Sequence, residues 1–122
     1  MKVITIKEKI LSAVILAERI TGKKESLPIL SCILLDVGKE ISARATTLEA
    51  GIDIRVPGEV EERGLVAVPA SVLSQTVRSI NSEKITLRTE GLNLVVEARG
   101  TKTLIKAIPH DEFPKLSRGE EV

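Results

Sequence analysis

Side chains able to do chemistry are few in this chain and widely spaced. It has one histidine, His110 in "PHDEFP", and one cysteine, Cys32 inside the apolar run "SCILLDV". A zinc site needs three or four Cys, His or carboxylate donors at set spacings, and a nucleophile needs a base beside it. One His and one Cys supply neither. There is no G-x-S-x-G, no Walker glycine loop and no G-x-G-x-x-G. The carboxylates of "GEVEER" and "GEEV" are contiguous runs rather than placed pairs. Asp36, Glu49 and Asp53 are the set from which a metal-dependent phosphoesterase could be built, and that reading stays open here. A second chemistry is electrostatic: Lys and Arg at helical spacing can track phosphates without reading bases.

The elements that must carry these groups follow from periodicity. "MKVITIK" alternates as a strand, and from Lys9 to Lys23 the apolar residues Ile10, Leu11, Val14 and Ala17 share one helical face. Lys9, Ser12, Arg19 and Lys23 share the other, interrupted by Leu16. Gly22 stops the helix, and "KKES" is a charged loop ending before Pro28. "SCILLDV", "EISARAT" and "AGIDIRV" then form a three-stranded meander, in which "ISARATTLEAGIDIRV" raises a question: do Thr46, Thr47 and Glu49 present chemistry on a hairpin tip, or only turn the chain? "EVEER" is expected to be a solvated connection, "GLVAVP" a short buried strand, and Pro69 the first turn of a second helix with Ala70, Leu73, Val77 and Ile80 as its apolar stripe. "KITLRTE", "LNLVVEAR" and "TKTLIKAI" follow as strands joined at Gly91 and Gly100. Each half reads strand, helix, three strands: an α+β chain with two helices set against antiparallel sheets.

Composition narrows the function. At 122 residues the chain fits one domain, expected to span residues 1–122. Eighteen basic and 17 acidic residues leave a net charge of +1, so attraction to nucleic acid must be local. The 1% aromatic content, Phe113 alone, argues against base stacking. The lone cysteine fits a buried small hydrophobe in a reducing compartment. No stretch nears the roughly 20 apolar residues of a membrane span, and the amino terminus lacks a signal-peptide pattern, so a cytoplasmic location without membrane contact is expected. No cofactor, metal or catalytic residue is expected. Two surface features are left over: the weakly acidic helix faces, with Lys9, Arg19, Ser71, Gln75 and Arg78, and a flank formed by Val72 and Thr76 with Thr103 and Ile105 on the last strand, suited to partner pairing at a sheet edge.

Several strings, "LPILSCILLDV", "ISARATTLEAGIDIRV", "VAVPASVLSQTVRSI" and "IPHDEFPKL", resemble the first domain of the bacterial sliding clamp, the beta subunit of DNA polymerase III. They span nearly all of residues 1–116 in the family's order. Where the family reads A-T-D-L-E this chain has Thr47. The resemblance implies the DNA-clamp fold, two βαβββ halves with two helices on the inner face and antiparallel sheets outside, and a non-catalytic role: a homodimeric ring, three domains per chain, that encircles duplex DNA and tethers the replicase in DNA replication. "TTLE" is then a structural turn. DNA-facing positions fall on Lys9, Arg19, Lys23, Lys24, Ser71 and Arg78. The head-to-tail contact between protomers falls on Val72, Gln75, Thr76, Thr103 and Ile105. DNA polymerase III and the clamp loader are expected to bind through later domains. Residues 117–122 are expected to begin an interdomain linker, so this chain is expected to be the first domain alone, unable to close a ring by itself. A small β-rich interaction scaffold with no nucleic-acid role is the alternative from a different class.

Overall fold

The computed structural model describes residues 1–21, 31–46 and 50–108. Along them run β1 (Lys2–Ile6), α1 (Lys7–Ile20), β2 (Cys32–Val37), β3 (Ile41–Thr46), β4 (Gly51–Val56), β5 (Gly58–Glu62), β6 (Gly64–Pro69), α2 (Ala70–Ser79), β7 (Lys84–Glu90), β8 (Asn93–Ala98) and β9 (Thr101–Lys106). The two strand, helix, three-strand halves are present. The run "EVEER", expected as a solvated connection, instead contributes to β5, which pairs antiparallel with β1. Only Val60 of that strand packs against the core, and the glutamates around it are exposed. Its strand character was hidden by charge.

Two antiparallel sheets result, one ordered β5-β1-β7-β8-β9 and the other β4-β3-β2-β6. Each half lends its first strand to the other half's sheet. β1 lies against β7, with Lys2 opposite Arg88 and Ile6 opposite Lys84, while β6 lies against β2, with Gly64 opposite Val37 and Pro69 opposite Cys32. Neither half can complete a sheet without the other. Both lent strands run straight into a helix, β1 into α1 and β6 into α2, so this exchange also sets where the helices begin.

The helices pack on each other, α1 lying against β3 and β4 and α2 against β6 and β9. Ile10, Ala13, Val14 and Ala17 of α1 and Ala70, Leu73 and Val77 of α2 join Val3, Ile33, Leu35, Ile41, Leu87, Leu94 and Ile105 in one apolar core. The helix 1 stripe matches the expected one except that Ala13 is buried and Leu11 only partly so; α1 starts at Lys7 and ends at Ile20, just before the expected stop at Gly22. Gly91 (φ 61°) and Gly100 (φ 74°) occupy the left-handed region that the tight turns around β8 require, where a side chain would be strained. On the outer face of the four-stranded sheet Cys32, Leu34 and Ala67 form a second small cluster with Ile108, whose N–H donates to the Ala67 carbonyl at 2.8 Å. Cys32 is fully buried, and burial pushes its thiol up to about 11.

Candidate nucleic-acid interface

Residues left on the outer side of the two helices define the candidate surface. On α1, Lys9, Ser12 and Arg19 are exposed, with Leu16 among them at 45% exposure. On α2 the exposed set is Ser71, Val72, Gln75, Arg78 and Ser79. Helix α2 carries no acidic residue, and α1 carries two, Glu8 and Glu18. All the expected phosphate-facing positions within the described residues, Lys9, Arg19, Ser71 and Arg78, are therefore open to solvent. Lys23 and Lys24 lie outside the described residues.

The relative direction of the helices can be read from their ends. Lys7, the first residue of α1, donates through Nζ to the carbonyls of Arg78, at 3.3 Å, and Ile80, both at the end of α2. At the other end, Glu18 of α1 and Thr21, which caps that helix, line a shared cleft with Pro69, Ala70, Ser71 and Gln75 at the start of α2. The pair is antiparallel. Lys9 and Arg78 consequently sit at one end and Arg19 at the other beside the start of α2, whose free N–H groups add positive potential. About ten residues of helix, roughly 15 Å, separate Lys9 from Arg19. Such a surface offers cations and small hydrogen-bonding groups, with no aromatic side chain and, among its exposed described residues, Gln75 as its one amide, which suits contact with phosphates more than reading of bases.

The second expected patch is assembled in part. β9 is an edge of the five-stranded sheet, and α2 lies against it, so the flank of α2 adjoins a strand edge. Val72 is 41% exposed, Gln75 is exposed, and Thr76 and Thr103 are half-buried. Ile105 is a correction. It is opposite Leu94 and packs in the core at 3% exposure, so its side chain is not offered to a partner. Leu104, 51% exposed on the outer face, is the apolar side chain that β9 presents instead. In "TLIK" two adjacent apolar residues make either face a candidate, and only the register with β8 decides between them. In the sequence Lys7 reads as the close of the strand alternation in "MKVITIK"; the one signal of its role is a cation at the start of a helix, where the dipole disfavours it.

The carboxylates of the phosphoesterase reading are held otherwise. Arg44 Nη2 lies 3.4 Å from both Asp36 and Asp53 on the outer face of the four-stranded sheet. A guanidinium between two carboxylates neutralises the charge a divalent cation would need. The Thr46 hydroxyl donates to the Ala50 carbonyl at 3.2 Å, spanning the β3–β4 connection, which is the behaviour of a turn residue. Positions 47–49, with Thr47 and Glu49, and His110 lie outside the described residues. Among the described residues no group of three or more potential ligands is close enough to hold a metal, and no helix is long and apolar enough to cross a membrane.

Residues 1–117 match a family described as DNA polymerase III beta subunit, N-terminal domain. The beta sliding clamp of Pseudomonas aeruginosa is 31% identical over 116 residues, covering 93% of this chain and 32% of that protein. Among solved structures, the DNA polymerase III beta subunit of Thermotoga maritima superposes with a TM-score of 0.88 at 29% identity, over 93% of this chain and 32% of that one. A Pseudomonas aeruginosa sliding clamp crystallised with griselimycin gives 0.87 at 30% identity, over 94% and 32%. The chain thus spans about a third of the length of the relatives it matches.

Proposed function

The chain belongs to the family of DNA polymerase III beta subunit N-terminal domains, and from that premise we propose that it serves as the first domain of a sliding clamp, a processivity factor in DNA replication. In this reading three such domains per chain and two chains head to tail form a ring around duplex DNA, in the cytoplasm. The observation that carries the proposal is the antiparallel helix pair whose solvent side holds Lys9, Arg19, Ser71, Gln75 and Arg78, with no carboxylate contributed by α2. Phosphate contact of this kind is sequence-independent and weak enough to slide, because the ring's closure rather than affinity retains it on DNA. The domain is non-catalytic: it contributes surface, and the polymerase supplies the chemistry.

The flank of α2 (Val72, Gln75, Thr76) and the β9 edge (Thr103) form the contact with the neighbouring protomer, and Leu104 is the exposed apolar side chain on the other face of that edge. Unpaired backbone groups on β9 would extend a sheet across the joint. Lys23 and Lys24 add to the DNA-facing charge. DNA polymerase III and the clamp loader engage other domains of the complete ring.

A chimaera tests this. The Pseudomonas aeruginosa clamp with its first domain replaced by this chain should sediment as a ring-sized dimer and stay on nicked circular DNA, then leave when that DNA is linearised. A dimer that ignores circular DNA would end the proposal. Salt-insensitive association with a protein partner and no DNA in the assembly would instead favour the scaffold alternative.

A further inference from the structure

We infer that Lys7 is a positioning residue for the phosphate-facing surface: it ties the start of α1 to the end of α2 and so holds Arg78 at the same end of the helix pair as Lys9. The inference rests on the clamp reading above. The last carbonyls of any α-helix lack partners within the helix. At the end of α2, Arg78 and Ile80 carbonyls accept from Lys7 Nζ, and the Lys7 backbone N–H donates to the Glu83 carbonyl at 2.8 Å. Lys7 therefore grips both sides of the turn that leaves α2. Its charge opposes the dipole of its own helix and complements that of α2, so the side chain is placed for the neighbour's benefit. Both helix ends also close on themselves, α1 through the Thr21 hydroxyl to the Glu18 carbonyl at 2.8 Å and the Thr21 N–H to the Ala17 carbonyl at 3.2 Å, α2 through the Ser79 hydroxyl to the Thr76 carbonyl at 2.8 Å and the Ile80 N–H to the Val77 carbonyl at 3.2 Å. What sets the end of α2 apart is the added grip of Lys7.

Arg78 belongs to that last turn and is exposed. When Lys7 lets go, the turn frays and the guanidinium loses its fixed origin. Lys7 itself, its ammonium committed to carbonyls, is not the phosphate ligand.

The test compares Lys7→Met, which keeps the stem and removes the donor, with Lys7→Arg, Arg78→Gln and the Lys7→Met/Arg78→Gln double variant. Binding to a short duplex is followed by fluorescence anisotropy across salt concentrations, and amide exchange is followed at residues 78–80. Lys7→Met should weaken binding by roughly three- to tenfold and lower the salt slope by about 1, as the loss of one phosphate contact does. Arg78→Gln should do the same, the double variant no worse, and Lys7→Arg should recover most of the loss. Amides 78–80 should exchange faster in Lys7→Met. Ile41→Val, which loosens the core elsewhere, should leave the slope alone. Additive losses in the double variant would mean that Lys7 touches phosphate directly and would overturn the inference, as would unchanged binding in Lys7→Met. If the parent chain binds no duplex at any salt, retention of the chimaera on circular DNA judges the clamp reading, and amide exchange decides the tie by itself: unchanged protection at 78–80 would refute it.

Discussion

Leu87 and Arg88 are neighbours on β7 and belong to different regions of the molecule. Leu87 faces the helices, is fully buried and is opposite Val96; Arg88 faces outward, opposite Val95, and binds Glu97 at 2.9 Å and Glu90 at 3.2 Å. The inner faces of both sheets share one continuous apolar core with the helices, whereas the outer faces carry local ion pairs, such as Arg44 with Asp36 and Asp53, beside the one small apolar cluster around Cys32. Apolar burial is cumulative and indifferent to salt, while half-wet ion pairs are worth little and are screened. The fold is therefore secured from within, which leaves the solvent side of the helices free to be chosen for another purpose.

The largest test of this contrast is Leu87→Ala. Removing a fully buried leucine from the shared core should cost about 3 kcal/mol in chemical denaturation, a substantial part of an ordinary domain's stability. Arg88→Ala should cost well under half as much. Equal losses would make the outer face a second core and break the comparison.

Gly58→Ala probes the seam where β5 joins the sheet. A methyl there would sit 2.7 Å from Ile41 Cδ1 and 2.8 Å from the Ile4 carbonyl oxygen. The side chain can move and the backbone cannot, so a loss of about 2 kcal/mol is expected, the ordinary cost of overpacking. A neutral result would show that β5 is loosely attached and that the seam lies outside the inner core.

The outer face should announce itself by pH. The hydrogen bond from Arg88, reinforced by its charge, holds the Glu97 carboxyl below the ordinary value of 4.5. A lowered folded value means that the stabilisation is complete above the unfolded value and fades as pH falls from there through the folded one. Thermal melts should therefore show an acid-side loss that shrinks in Glu97→Gln. The loss should also shrink in high salt, as it would not for the core. An acid profile unchanged by Glu97→Gln would remove this pair from the account.

The inner region was the more legible in sequence, for a physical reason. Ala70, Leu73, Val77 and Ile80 are all buried as their spacing required, because a helix stripe has one way to face a core. Strands are less informative. Period two separates the faces of β9 without saying which turns inward, so the alternation alone leaves Ile105 as eligible for the surface as Leu104, which holds that place. β5 went unseen because an edge strand needs only one inward side chain, here Val60, and charge on the rest is what protects an edge from unwanted pairing. The exchange of β1 and β6 between the sheets left no local mark, since antiparallel pairing with either meander satisfies the same pattern. The helix surface was legible as a stripe, but the antiparallel pairing that brings Lys9 and Arg78 to one end comes from tertiary contact.

The smallest effect on stability is expected where the functional effect is greatest. Arg78 is exposed, and its structural contribution is the interaction of its charge with the end of α2, so Arg78→Gln should cost about 0.5 kcal/mol. Leu73, on the buried side of the same helix, should cost several times that when cut to alanine, near 3 kcal/mol. Duplex binding by the folded population should rank them in reverse, falling in Arg78→Gln and holding in Leu73→Ala at temperatures well below its melt. Measuring both quantities on both variants makes the two rankings independent. If Leu73→Ala lost binding as fully as Arg78→Gln while still folded, the exposed stripe would depend on core packing for its function, and the separation between a face that folds and a face that works would not hold on α2.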